Sequence, residues 1–441
     1  MLKDTICAIS TSLQEGAIGI VRVSGDEAID IVSQIFSKDL HQVNSHTITY
    51  GNIIDQKEII DEVLVSVFRA PKTYTREDLV EINGHGSVYL IRRILSLCIA
   101  HGARQARPGE FTERAFLNGR IDLTQAEAVN DLIKSVNNKQ SKLALKGVKG
   151  SISRLLNPLV DDLLQLIANL EVNIDYPEYD DVRQLTDELV LPKLQDWHQR
   201  LTKIVQQAEN GRIINKGIKT VIIGEPNVGK SSLLNALLEE DKAIVTALPG
   251  TTRDLVEGVI QLENVTLHLI DTAGLRATSD LIEQLGIDRT FKVLDEAELV
   301  IIVLDASRGI SAYEKELIRM TDTKKQIVVY NKNDLVQSSA QLSISALNHD
   351  IKPLLDEIER IFAAEIMVID QDILNNDRQI GLAKQALSAL DQALAALNDG
   401  MELDIVLIDI EQAYQLLKSI LGEVKQEDLL DTLFSSFCLG K

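Results

Sequence analysis

The chain has 441 residues, 45% hydrophobic and 25% charged, an ordinary globular balance with room for about two to four domains that each bury a core. Its net charge is −21 and its aromatic content 4%, so a surface built on aromatic base-stacking is not expected, and any nucleic-acid contact must use a local basic patch; no DNA partner is expected. Cys7, Cys98 and Cys438 form no CxxC pair, no signal-peptide stretch opens the chain and no run of about 18 apolar residues occurs, so disulfides, structural zinc and a membrane are not expected and a cytoplasmic protein is.

Residues 1–118 mix β-branched runs (Ile18 to Val23, Val63 to Phe68, Leu79 to Ile82) with helical stretches (Ala28 to Phe36, Tyr89 to Ala100). Glycines punctuate them, as in Asn83-Gly84-His85-Gly86, and the pattern predicts an α+β domain. Residues 119–212 read as long amphipathic helix, with apolar residues three and four apart from Leu123 to Leu170 and from Leu185 to Val205. Pro177, with Glu178, Asp180 and Asp181, marks a break between helices. Residues 213–369 alternate apolar runs (Val221 to Gly224, Leu267 to Asp271, Val300 to Leu304, Ile327 to Tyr330) with helices, the signature of a mostly parallel sheet. Residues 370–441 return to helix. The expected architecture is multidomain α/β: an α+β N-terminal domain at 1–118, a helical domain from 119–212 and 370–441, and an α/β unit at 213–369 inserted into it.

Gly224-Glu225-Pro226-Asn227-Val228-Gly229-Lys230-Ser231 fits G-x-x-x-x-G-K-[ST] between an apolar run and a helix, the context a P-loop requires. Its N–H groups face phosphates, Lys230 neutralises β/γ oxygens, and the Ser231 hydroxyl ligates Mg²⁺. Four further elements follow in order: Thr251-Thr252-Arg253-Asp254, Asp271-Thr272-Ala273-Gly274, Asn331-Lys332-Asn333-Asp334 and Ser345-Ala346. Thr252 can complete the Mg²⁺ shell and sense the γ-phosphate, Asp271 can hold the metal through water, and the Gly274 N–H can touch the γ-phosphate. Asp334 selects the base, because a carboxylate accepts from guanine N1–H and N2–H₂ together and adenine offers neither. Asn331 and Lys332 brace the pocket, and Ala346 supplies a backbone N–H to guanine O6. The inserted unit is therefore expected to be a P-loop (Ras-like) G domain. Its nucleotide contacts are expected from Asn227, Val228, Gly229, Lys230, Ser231 and Ser232. The stretch Thr246, Ala247, Leu248, Pro249, Gly250, Thr251 and Thr252 adds to them, with Asp271, Thr272, Ala273 and Gly274, then Asn331, Lys332, Asn333, Asp334, Ser345 and Ala346.

Hydrolysis needs a group to orient water. Leu275 stands where many GTPases carry a glutamine and cannot do it. Glu283 is the candidate, against the plain reading of a solvated residue near a helix start. Lys230 and Thr252 complete the catalytic set. Transition-state charge can be met by Arg253, Arg276 or a monovalent cation beside the Asn227 carbonyl.

Nearly the whole chain resembles the tRNA modification GTPase MnmE (TrmE) family. The resemblance lies in Asp4-Thr5-Ile6 to Gly19-Ile20-Val21-Arg22, in Tyr74-Thr75 to Gly86, and in Pro108-Gly109-Glu110-Phe111-Thr112-Glu113-Arg114-Ala115-Phe116-Leu117-Asn118. It continues at Gly250 to Asp254 and Asp271 to Arg276, and ends on Phe437-Cys438-Leu439-Gly440-Lys441, which matches the family's C-x-G-K ending. The resemblance implies a K⁺-dependent GTPase, homodimeric through its G domains. It implies work with an MnmG-type, flavin- and NADH-dependent partner in a heterotetramer, installing a carboxymethylaminomethyl-type group on C5 of the wobble uridine of certain tRNAs. The one-carbon unit comes from a tetrahydrofolate. By position it implies K⁺ ligation at Asn227, Thr246, Leu248 and Thr251, water orientation by Glu283, and a folate pocket at Arg22, Glu81, Arg120 and Lys441. The loop Thr11 to Gly16 lacks the prolines and arginine of some members, and Asp280-Leu281-Ile282-Glu283 is less acidic than in many. A regulatory or ribosome-assembly GTPase switch without group transfer is the alternative.

Two features stay open. Cys438 reads as a core cysteine or a nucleophile. Residues 132–160 contain no acid and carry Lys139, Lys142, Lys146 and Lys149 on one helical face, whereas residues 370–441 hold 13 acidic and 5 basic side chains. The stripe touches tRNA phosphates, or is a solvated face paired with that acidic segment.

Overall fold

The computed structural model describes residues 4–175, 190–239, 256–262, 265–270, 294, 296–336, 342–363, 371–423, 433, 434, 437 and 440. Two compact units emerge, residues 1–130 with 421–441, and residues 131–420. Among the described residues no helix is long and apolar enough to cross a membrane.

The first unit is α+β. In chain order it runs β1 (Ile6–Ile9), β2 (Ile18–Ser24), α1 (Ala28–Ile35), β3 (Thr47–Asp55), β4 (Glu58–Phe68), β5 (Leu79–His85), α2 (Val88–Ala100), β6 (Arg104–Gln105) and α3 (Glu110–Leu117). The sheet order is β3-β4-β5-β2-β1-β6, antiparallel except between β1 and β6. Period-two alternation sends Val21, Val23, Val63, Val65, Val67, Val80 and Ile82 to one face, where they share a core with Ile31, Val32, Ile91 and Ile94. Each such side chain removed from water stabilises the fold by about 1.5–3 kcal/mol. Arg22 and Glu81 stand opposite each other in the β2–β5 register.

The acidic and basic residues around α3 form a buried network. Arg114, 1% exposed, reaches Asp4 at 2.8 Å, Glu77 at 3.2 Å and Glu110 at 3.3 Å. Glu110, fully buried, also accepts from Arg104 and from the Arg107 N–H. Burial is the largest single influence and opposes its charge, but the Arg104 hydrogen bond, the Arg107 N–H and the charges of Arg104 and Arg114 together outweigh it and hold the carboxyl below its ordinary value. Removing one partner strands a buried charge, which is why these residues occur together.

The chain passes between the units in α4 (Leu123–Lys134) and continues through α5 (Asn138–Val148), α6 (Ser151–Asp175) and α7 (Leu191–Lys216). The apolar pattern from Leu123 to Leu170 reads as continuous helix, but the structure breaks it twice. Asn137 caps α5, its side chain accepting from Gln140 N–H at 2.9 Å, and Gly150 turns the chain before α6.

The α/β part follows as β7 (Ile218–Ile223), α8 (Lys230–Glu239), β8 (Val256–Gln261), β9 (Thr266–Ile270), β10 (Leu299–Asp305), α9 (Ala312–Met320), β11 (Lys325–Asn331) and α10 (Lys352–Ile361). Its sheet order is β11-β10-β7-β9-β8, parallel except at β8. β10 is buried almost throughout, which explains its unbroken apolar run. Then α11 (Asp377–Asn398) and α12 (Leu403–Leu421) resume helix. α11 packs on α7, tied by Lys216–Asp377, His198–Asp391 and Lys384–Glu209 ion pairs.

Candidate functional site

The carboxyl ends of β7, β10 and β11 converge, the place where an open parallel sheet binds ligands. β7 feeds the loop from Gly224 to Gly229, and α8 begins at Lys230. Asn227 adopts φ +64°, a left-handed conformation that asparagine tolerates better than most residues. Gly229 has φ +98°, and a Cβ there would lie 2.1 Å from Asn331 Nδ2. Only glycine lets the β11 end close on the loop in this way.

That closure is made by one side chain. Buried Asn331 donates to the Val228 carbonyl at 3.0 Å and accepts from the Ala346 N–H at 3.0 Å. It therefore joins the phosphate loop to the Ser345-Ala346 turn. Asp334 Oδ1 accepts from the Ser345 hydroxyl at 2.6 Å, and Asn333 N–H donates to Ile344 O at 3.1 Å. Asn227, Val228, Gly229, Lys230, Ser231 and Ser232 lie on the loop and helix start, and Asn331, Lys332, Asn333, Asp334, Ser345 and Ala346 on the adjoining turns. The structure thus brings together two stretches, expected from sequence to face phosphate and base, that lie about a hundred positions apart in the chain.

Lys230 donates to the carbonyls of Gly224 at 2.8 Å and Glu225 at 2.7 Å. Burial pushes its ammonium below the ordinary lysine value, against the pull of Glu225. Its donors lie at the mouth of the loop, where an anionic ligand would compete for them. The loop's second position is anchored from outside. Glu225 accepts from Arg308 at 2.6 Å and from the Ser311 hydroxyl, while Arg308 also reaches Glu314 at 2.7 Å. Ser311 and Glu314 form the capping box of α9. Sequence reasoning missed this brace, although Ser311-x-x-Glu314 announces the helix start.

Thr246, Ala247, Leu248, Pro249, Gly250, Thr251, Thr252, Asp271, Thr272, Ala273, Gly274 and Glu283 lie outside the described residues. So do Arg253, Arg276, Cys438 and Lys441.

The first unit carries a second candidate site. Arg22 pairs with Glu81 through Nε at 2.9 Å and Nη2 at 2.8 Å, both side chains about one-fifth exposed. Arg22 also donates to the Gly440 carbonyl at 3.3 Å, and the Ser10 hydroxyl to the same oxygen at 3.1 Å. Gly440 has φ +91°, and a Cβ there would meet the Ile9 carbonyl at 2.4 Å, so a glycine at this position is what allows Gly440 onto β1. Glu81 and Arg120 line a cavity of about 470 Å³ with Tyr74, Thr73, Lys72 and His46. The Arg120 guanidinium sits 4.8 Å from the Tyr74 ring centre. Arg22, Glu81 and Arg120 are thus gathered with the residue before Lys441; Tyr74 is the member sequence reasoning did not single out.

A family profile described as the MnmE helical domain matches residues 123–438, and one described as the GTP-binding protein TrmE N-terminus matches residues 5–120. The chain is 48% identical to the tRNA modification GTPase MnmE of Lactococcus lactis subsp. lactis over 99% of this chain and 98% of that protein. It is 47% identical to that of Streptococcus pyogenes serotype M28, over 99% and 98%. Among solved structures, Era of Aquifex aeolicus is 25% identical, covering 39% of this chain and 66% of that one, with a TM-score of 0.26.

Proposed function

The chain belongs to the tRNA modification GTPase MnmE family and is a GTPase of tRNA modification, and from that premise we propose a K⁺-dependent enzyme that serves the wobble uridine. In this reading it acts as a homodimer with an MnmG-type flavoprotein in the cytoplasm. Together they add a carboxymethylaminomethyl-type group to C5, using a tetrahydrofolate one-carbon donor. The working parts are residues 1–118 for folate, 119–212 with 370–441 as the helical domain, and 213–369 as the G domain.

The observation that carries the reading is Asn331, which locks the phosphate loop to the turn that orients Asp334. A nucleotide gripped at both ends must then be a guanine nucleotide, since Asp334 would face adenine with no donor to accept from. Lys230 and the loop N–H groups take the phosphates. Ser231 and Thr252 would hold Mg²⁺, which offsets phosphate charge. Asn227, Thr246, Leu248 and Thr251 would hold K⁺. Asn227 suits this because its left-handed backbone redirects a carbonyl within the loop. Glu283 orients water.

The folate reading is supported by donor chemistry. Glu81 is an acceptor pair matched to a pterin's amino and ring N–H groups, while Arg22, Arg120 and Lys441 suit its carboxylates and carbonyls. The decisive experiment is genetic: a strain lacking the enzyme should accumulate tRNA with unmodified C5 at the wobble uridine, and this chain should restore the group. Restoration by a Glu283→Ala protein that still binds GTP would detach hydrolysis from the modification.

A further inference from the structure

β10 ends on Asp305, which no nucleotide motif marks. Its Oδ2 accepts from Lys332 Nζ at 2.5 Å. Its Oδ1 accepts from the Ser307 N–H at 2.9 Å and the Ser307 hydroxyl at 2.6 Å. Parallel register sets Asp305 beside Asn331, and the Ala306 N–H donates to the Asn331 carbonyl at 2.9 Å. The end of β10 therefore holds both the backbone that leads into Lys332 and the ammonium at its tip. The Asp305 side chain is 10% exposed and that of Lys332 30%.

Lys332 has φ +68°, a region few lysines occupy, so something beyond local preference keeps it there. A second carboxylate, Asp334, lies two residues along the chain from Lys332. The structure divides the partners. Lys332 goes to Asp305, and Asp334 takes the Ser345 hydroxyl, a neutral donor.

We propose that Asp305 is a positioning residue for guanine selection: by holding Lys332 it keeps the Asp334 charge free for the base. In this role Asp305 acts through Lys332 and not by contact with the nucleotide. This rests on Asp334 reading guanine and adds the device that keeps it able to do so.

The test compares GTP with ITP, which lacks the 2-amino donor. Asp305→Asn keeps the shape and removes the charge, releasing Lys332 toward Asp334. GDP and GTP should bind about tenfold more weakly, the loss should fall on KM more than on kcat, and the GTP-to-ITP preference should shrink. Asp305→Glu, which retains the charge, should recover part of that preference. Lys332→Met removes the ammonium, so adding Asp305→Asn to it should cause no further loss of selectivity. Ser307→Ala loosens Asp305 without discharging it and should move the ratio the same way by less. Unchanged ratios in Asp305→Asn and Ser307→Ala, or losses that add in the Lys332→Met background, overturn the proposal. A wild-type protein that takes ITP as well as GTP defeats the Asp334 reading and this inference together; an inert Asp305→Asn alone leaves the Asp334 reading standing.

Discussion

In the proposed reading Asp334 carries the base selectivity, so its replacement has a defined direction. Asp334→Asn exchanges an acceptor for a donor where guanine offers its 2-amino group. GTP affinity should fall by two orders of magnitude or more (about 3 kcal/mol), and XTP, with a carbonyl at C2, should bind better than GTP; competition against a fluorescent GDP analogue reads both. Asp305 adds a pH signature. Burial raises its carboxyl, but the hydrogen bonds from Lys332 and Ser307 dominate and hold it at about 2, against an ordinary 3.8. A lowered folded-state value means stabilisation that is complete above 3.8 and is lost as pH falls through about 2. Chemical denaturation followed across that window should show wild type losing stability more steeply than Asp305→Asn. Identical slopes would mean the ion pair contributes nothing. The residues proposed to read the base were visible in sequence because their motif is contiguous. Asp305 was not, because its meaning depends on β10 and β11 ending side by side.

At the scale of elements, Asn331 is the joint between the phosphate loop and the base turn. Asn331→Ala deletes two hydrogen bonds and leaves the Val228 carbonyl and Ala346 N–H without this partner. The cost should be about 2–4 kcal/mol in unfolding free energy, with nucleotide affinity reduced at least tenfold. A stable variant with normal affinity would show that the loop holds its shape alone.

The helix α5 buries Gln140, Leu143, Ala144 and Gly147 and turns Lys142 and Lys149 outward, with Lys139 and Lys146 half-buried beside them. Arg154 of the same acid-free stretch pairs with Asp372 of the acidic segment at 3.8 Å, so both readings of the stripe keep a physical basis. Neutralising Lys142 and Lys149 to glutamine should weaken tRNA binding and reduce the slope of log K against log salt by about 0.7–0.9 per lysine. An unchanged slope assigns the face to solvent. Strands such as β10 and β11 were readable as apolar runs. β3 was not, because Ile48 and Tyr50 face outward and are exposed, which erases the alternation. The breaks at Asn137 and Gly150 were hidden because apolar spacing persists across them, and only the cap chemistry ends the helices.

For the whole molecule, the tail at Gly440 joins the first unit, where Arg22 and Ser10 hold it. Removing the last few residues should therefore reduce folate binding and leave GTP turnover intact; equal loss of both would argue against two separate sites. The cation role has its own readout, since GTP turnover should be much faster in KCl than in NaCl, and equal rates would remove it from Asn227. The most direct test of the central claim is nucleotide uptake by the purified protein in KCl with Mg²⁺, GTP against ATP. The account predicts tight GTP and GDP binding that a large excess of ATP does not displace. ATP binding as strong as GTP, or no binding of either, would contradict it.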